Sequence, residues 1–214
     1  MTLRIPMVQL AAAMAAVLLL PGSAMAQDAF GGARKVPSVQ TPERPSAVPA
    51  PAAQAPRAHD PSEARELQDF GVPAQDGLHA GQMHGPTPNR IPGGAVITTG
   101  ALRALLQERN SQALVFDVLG AEEMLPNALQ AAWASQPGSY NDQVQQQFAQ
   151  ALSAQLRGQT NTPLIFYCAS TQCWMSYNAA LRAIRAGYTQ VFWYRGGLEA
   201  WKAAGMPTQP ARRP

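Results

Sequence analysis

The chain has 214 residues and carries 16 Lys and Arg against 13 Asp and Glu, a formal charge of +3. Its basic residues are scattered, and the two short basic spots, Arg34-Lys35 and Arg212-Arg213, lie in the end segments, so no nucleic-acid surface is expected. The length suits one ordinary domain with extensions, and no internal repeat is visible.

Residues 1–26 read as an export signal: Arg4, an apolar run from Leu10 to Leu20, and a small-residue site at Ala24, Met25 and Ala26. The apolar run falls short of the roughly 20 residues of a membrane span. Cleavage after Ala26 predicts a periplasmic protein with no membrane attachment. Residues 27–65 are dense in Pro, Ala and Ser between Lys35 and Pro61, which predicts a disordered or polyproline-like spacer. Residues 66–94 hold Phe70, Val72, Leu78 and Met83 between Pro and Gly breaks, which predicts an extended segment wrapped on the domain. His79, Met83 and His84 are donors suited in principle to a soft metal such as copper, but in a Gly/Pro-rich stretch they read as a surface loop. No metal and no cofactor is expected.

The domain itself spans residues 95–208, with a tail at 209–214. Ala95 to Ile97 reads as a short strand. Thr98 or Thr99 caps a helix with Leu102, Leu105 and Leu106 on one face. Ala113 to Val118 reads as a buried strand, followed by a polar, irregular stretch from Gly120 to Tyr140. Asn141 is placed to cap a helix to Arg157, with Val144, Phe148, Ala151, Leu152 and Leu156 inward and Gly158 ending it. Leu164 to Tyr167 is a buried strand. Ser176 to Ala186 is helical, with Tyr177, Leu181, Ile184 and Tyr188 on one face and Asn178, Arg182 and Arg185 on another. Gln190 to Tyr194 is a strand, and Gly196-Gly197 turns into a helix from Leu198 to Ala203. Strands alternating with helices predict an α/β fold, a parallel sheet covered by helices on both faces.

Both cysteines, Cys168 and Cys173, sit between the strand ending at Tyr167 and the helix starting near Ser176. Backbone N–H groups and a helix start favour negative charge there, so a thiolate would be held well. Outside the cytoplasm such thiols face oxidation. A bridge needs Cα atoms within roughly 7 Å, which the sequence leaves open.

The ordered set Leu164–Cys168, loop, helix, Gly187-Tyr188, Val191–Tyr194 and Gly196-Gly197…Trp201, with Phe116-Asp117-Val118 upstream, resembles a rhodanese domain over roughly Ile97 to Pro207. The run FYCASTQCWMSYNAA with VFWY downstream is similar to the exported rhodanese-like proteins named for a CxxCW motif and for PQQ-dependent catabolism. This chain has C-x₄-C-W instead. The resemblance implies a rhodanese-like fold and persulfide chemistry at Cys168, with Ala169, Ser170, Thr171, Gln172 and Cys173 cradling the anion and Trp174 beside it. It also implies a small sulfur-containing anion or thiol as reactant, and a periplasmic dehydrogenase or cytochrome as partner.

The loop from Ala169 to Trp174 has no Arg or Lys to grip an oxyanion, and Leu119 stands where the family often has Arg. Trp174 six positions after Cys168 speaks against a C-x₅-R phosphatase. No histidine lies in the domain, which disfavours a Cys–His pair. Asp117 reads as a structural hydrogen-bonding residue, and Arg182 and Arg195 as a solvated face or carbonyl binders. Three functions stay open on these residues: sulfur transfer at Cys168 with Cys173 resolving the persulfide, a thiol–disulfide module using both cysteines, and a non-catalytic binding module.

Overall fold

The computed structural model describes residues 61–211. The predicted export signal, the spacer as far as residue 60 and Arg212-Arg213 lie outside the described residues.

Five parallel strands form the sheet, in the order β1-β6-β5-β2-β4. They are β1 (Ala95–Val96), β2 (Leu114–Asp117), β4 (Leu129–Gln130), β5 (Leu164–Tyr167) and β6 (Val191–Tyr194). The central strands β5 and β2 are almost uniformly apolar because helices cover both faces. Alternation splits their side chains. Phe116, Phe166 and Trp193 pack toward α3 (Gln143–Leu156) and α4 (Met175–Arg185). Val115, Ile165, Tyr167 and Tyr194 pack toward α2 (Thr99–Gln107) and α5 (Gly197–Ala203), where Leu102 and Trp201 are buried. No described helix is long and apolar enough to cross a membrane.

Several elements differ from the sequence reading. The spacer does not reach residue 65, because Pro61–Leu67 is a helix, α1. The reason is its docking: Glu66 accepts from Thr99 N–H and Oγ1–H, and Glu63 from Gly100 N–H, so two carboxylates cover the positive start of α2. The stretch read as irregular contains β4, β3 (Glu123–Met124) and a 3₁₀ turn (Ala132–Ser135). These pieces are too short to show periodicity. The cap of α3 is Asp142, not Asn141, since its carboxylate accepts from Gln145 N–H at 2.7 Å. Ala151 is exposed, and Gln145 takes its expected place inside, donating to the Arg182 carbonyl. The fold also runs past residue 208, because β7 (Gln209–Pro210) pairs antiparallel with β3.

The segment between α1 and β1 lies as a strap across the start of α4. The hydroxyl of Tyr177 accepts from Gln75 N–H and donates to Gln75 O. Asn178 exchanges two hydrogen bonds with the His79 backbone, 2.7 and 2.9 Å. Asn178 is therefore buried, Arg182 is buried against Gln136, Ser139 and Asp142, and of the polar face expected on α4 only Arg185 is exposed.

Candidate active site

Strand β5 ends at Tyr167, and the chain leaves the sheet at Cys168. The turn that follows is fixed from below by α5. Leu198 N–H donates to Cys168 O and Glu199 N–H to Ala169 O, both at 2.9 Å. This close approach explains the second glycine of the Gly-Gly pair. Gly197 has φ +64°, and a Cβ there would sit 2.5 Å from Cys168 O.

Cys168 and Cys173 form a disulfide, with Cα atoms 6.2 Å apart. The pairing left open by the sequence is thus made, and it closes a tight ring over Ala169 to Gln172. Cys168 is 1% and Cys173 0% exposed.

The strap supplies the cover. His84 and Cys173 form an antiparallel bridge, in which Trp174 N–H donates to Met83 O and Gly85 N–H to Gln172 O. Thr87 Oγ1–H donates to Thr171 O at 2.6 Å. The His79 ring stacks on Trp174 with centroids 4.0 Å apart. Histidines that precede the domain in sequence are thereby brought onto the cysteine loop. No group of three or more His, Cys, Asp or Glu side chains placed to hold a metal forms among the described residues, and His79 Nε2 faces Gln82 O.

The loop residues divide. Among the described residues, the N–H groups of Ala169, Ser170 and Thr171 have no acceptor. Gln172 N–H faces Ser170 Oγ, and Cys173 N–H donates to Ser170 O. Three successive N–H groups next to Cys168 are thus left without a protein acceptor. The N–H groups of Gln172 and Cys173, expected in the anion cradle, are used within the loop. Ser170 and Thr171 line a cavity of about 260 Å³ with Glu66, Gly196, Glu199 and Arg65. Trp174 is buried under His79 and Gln172 is exposed, so neither lines it. A larger open depression of about 650 Å³, bordered by Asp69, Val72, Asn89 and Arg90, includes no loop residue.

The charged neighbours are buried in unlike ways. Burial pushes the Glu66 carboxyl up to about 7, against the pull of its bonds from Thr99. Burial likewise raises Asp117, whose Oδ1 accepts from Leu119 and Gly120 N–H while Oδ2 finds no partner among the described residues. Asp117 shapes the turn after β2, as expected of a structural residue. Arg195 binds carbonyls rather than water: Glu66 O, Gln68 O and Thr87 O, plus Thr87 Oγ1 through its Nε. Of the two readings open for Arg195, carbonyl binding is the one the structure shows, while Thr87 does not stand out in the sequence. Their partners are roughly a hundred positions away, with no local signal.

The profile of the rhodanese-like domain family matches residues 98–204, half of the chain. No curated protein matches the chain. Among solved structures, the chain is 21% identical to the rhodanese-like domain of Anabaena sp. Alr3790 protein, covering 56% of this chain and 83% of that one with a TM-score of 0.41. It is 18% identical to a full-length protein from Lactobacillus plantarum, covering 54% and 88% with a TM-score of 0.39. It is 20% identical to a thiosulfate sulfurtransferase from Pseudomonas aeruginosa, covering 55% of this chain and 20% of that one, with a TM-score of 0.40.

Proposed function

The chain belongs to the rhodanese-like domain family, and on that premise we propose sulfur transfer through a persulfide on Cys168. The observation that carries this reading is the position of Cys168. It leaves the end of a central parallel strand into a loop with three successive unpaired N–H groups. A thiolate there attacks the sulfane sulfur of a donor such as thiosulfate. A bond forms between the two sulfurs, the sulfur–sulfur bond of the donor breaks, and sulfite leaves with its electron pair. The terminal sulfur of the persulfide carries the negative charge, which the free N–H groups stabilise.

The disulfide is the resolved form of this site. The Cys173 thiolate attacks Cys168 Sγ, the Cys168–Cys173 bond forms, and hydrosulfide leaves. Two equivalents of a thiol, oxidised to a disulfide, return the dithiol. An exported protein would meet such oxidising conditions, and the signal-like pattern at residues 1–26 supports periplasmic residence. The similarity to the CxxCW proteins supports a setting beside periplasmic quinone-cofactor dehydrogenases, as a partner rather than as a cofactor binder.

A second reading is favoured by the disulfide itself: a thiol–disulfide module in which no sulfur is carried. Intact mass separates the two. Reduced protein treated with thiosulfate should gain about 32 Da on Cys168, and Cys173→Ser should hold that sulfur longer. Protein that takes up no sulfur yet exchanges with a glutathione buffer only when both cysteines are present would overturn sulfur transfer. A mature N-terminus found at Met1 in exported fractions would overturn the signal.

A further inference from the structure

The loop that holds Cys168 contains no cation, yet a cation lies behind it. Arg195 is 1% exposed. Its acceptors are three carbonyls and one hydroxyl, all neutral. No carboxylate lies within ion-pair distance of it among the described residues. Its guanidinium stands over the rings of Phe70 and Trp193, at 4.8 and 6.0 Å. Burial lowers its pKa only to about 10, so it remains charged at neutral pH. A buried charge with no ion-pair partner, offset only by the field of the exposed Asp69, is costly, and an anion placed beside it is correspondingly stabilised.

The register of the sheet places Cys168 next to it. Tyr167 of β5 pairs with Tyr194 of β6, so Cys168 and Arg195 leave the sheet side by side. Side chains alternate along a strand. Tyr167 and Tyr194 share one face, and Phe166, Cys168 and Trp193 share the other. Arg195 lies against Trp193, on the Cys168 face. A second tie is direct: Arg195 Nε donates to Thr87 Oγ1 at 3.0 Å, and that hydroxyl donates to Thr171 O inside the cysteine ring at 2.6 Å. The guanidinium is thus one hydroxyl away from the loop.

We infer that Arg195 is a positioning residue for the sulfur chemistry: the fixed cation that the loop lacks, tied to it through Thr87 and set beside a thiolate or persulfide on Cys168. The inference rests on Cys168 being the reacting sulfur. The other charged groups around the loop are Glu66, Glu199 and Arg65 in the adjoining cavity and Asp69, whose charge acts on Arg195. Arg195 is the one among them that is both cationic and fully buried. The strap therefore has a chemical part as well as a covering one, because it provides the acceptors that keep a guanidinium in this place.

The test uses the full chain in a Cys173→Ser background, where Cys168 is a lone thiol. Thiolate absorbance in the ultraviolet is followed against pH, a readout that needs neither a sulfur donor nor access to the sulfur. Arg195→Met should raise the midpoint by about one unit or more, the lower end of the effect of an opposite charge about 4–6 Å away. Arg195→Lys, which keeps the charge, should restore most of it. Because Arg195→Met strips three carbonyls of their donor, one in α1 and two in the strap, Thr87→Val provides a milder arm. It should raise the midpoint by a smaller amount, and Thr87→Ser should restore it. A midpoint unmoved by Thr87→Val and by any folded Arg195→Met protein, or one moved equally by Lys and Met, overturns the inference. A midpoint that moves as expected in a protein taking no sulfur from thiosulfate would sink the transfer reading alone. Normal persulfide formation with an unmoved midpoint would sink this inference alone.

Discussion

Two buried arginines mark two regions of this domain, and their surroundings meet the charge in opposite ways. Arg182, on α4, faces Asp142 at the start of α3, with a 2.9 Å ion pair and further bonds to Ser139 O and Gln136 O. The guanidinium beside Asp142 holds that carboxyl down at about 2. Arg195, behind the cysteine loop, has hydrogen bonds to neutral groups alone. The first arrangement fastens a helix start to a neighbouring helix. The second leaves positive charge unspent next to a sulfur. Equal burial therefore says little about role; the charge of the partners separates a fastener from a residue that waits for an anion.

The largest effect that would sharpen this contrast is on stability. Asp142→Ala should cost about 3 kcal/mol in urea unfolding, since it strands the Arg182 charge and removes the α3 cap. Asp69→Ala, which removes an exposed acceptor of Gly71 N–H and the field at Arg195, should stay within about 0.5 kcal/mol. A loss below about 1 kcal/mol for Asp142→Ala would mean that carbonyls alone satisfy Arg182, and the two regions would no longer differ in kind.

Next in size is the disulfide. Cys173→Ser should cost about 2 kcal/mol, as expected for closing so short a ring. The loss should appear as faster amide exchange in the loop and in the strap residues 83–87, with α3 unchanged. Equal acceleration at α3 would show that the two regions unfold as one unit. Thr87→Val should cost about 1.5 kcal/mol, since it removes the buried hydroxyl bond to Thr171 O and the acceptor of Arg195 Nε. Thr87→Ser should recover it.

The smallest effect is on pH dependence, and its sign differs between the regions. Glu66, one of the residues holding α1 against α2, has a native pKa of about 7 against an ordinary 4.5. The native state binds its proton more tightly, so that contribution is full below about 4.5 and is lost as pH rises through 7. Asp142 is depressed from 3.8 to about 2, so its contribution holds above 3.8 and is lost as pH falls through 2. With the base-catalysed rise of intrinsic exchange divided out, the protection of α1 should fall from pH 5 to pH 8, and Glu66→Gln should remove most of that trend. An α1 that tightens over the same range would contradict the assignment of burial as the main influence on Glu66.

The strand–loop–helix order of the domain was legible because each element writes its own pattern. The run from Leu164 to Tyr167 is continuously apolar, and Phe148, Leu152 and Leu156 recur at helical spacing. Gly196-Gly197 marked a turn into a helix, and the structure adds the close approach of Gly197 to Cys168 O. Two-residue strands such as β3 and β7 carry no periodicity, and pairing with each other is what makes them strands. Asn141 and Asp142 are equally good caps by type, and the position of Arg182 chooses the second.

The sequence by itself determined the family, the α/β order of elements and the loop in which any thiol chemistry sits. Those follow from periodicity and turn residues, which are local. Only the tertiary structure decided that the cysteines are joined and covered, that His79 returns to stack on Trp174, and that Arg195 faces the loop through Thr87. The last contact spans 108 positions of sequence. It exists because burying a charged fork requires acceptors from several segments at once, and no local pattern records which segments those will be.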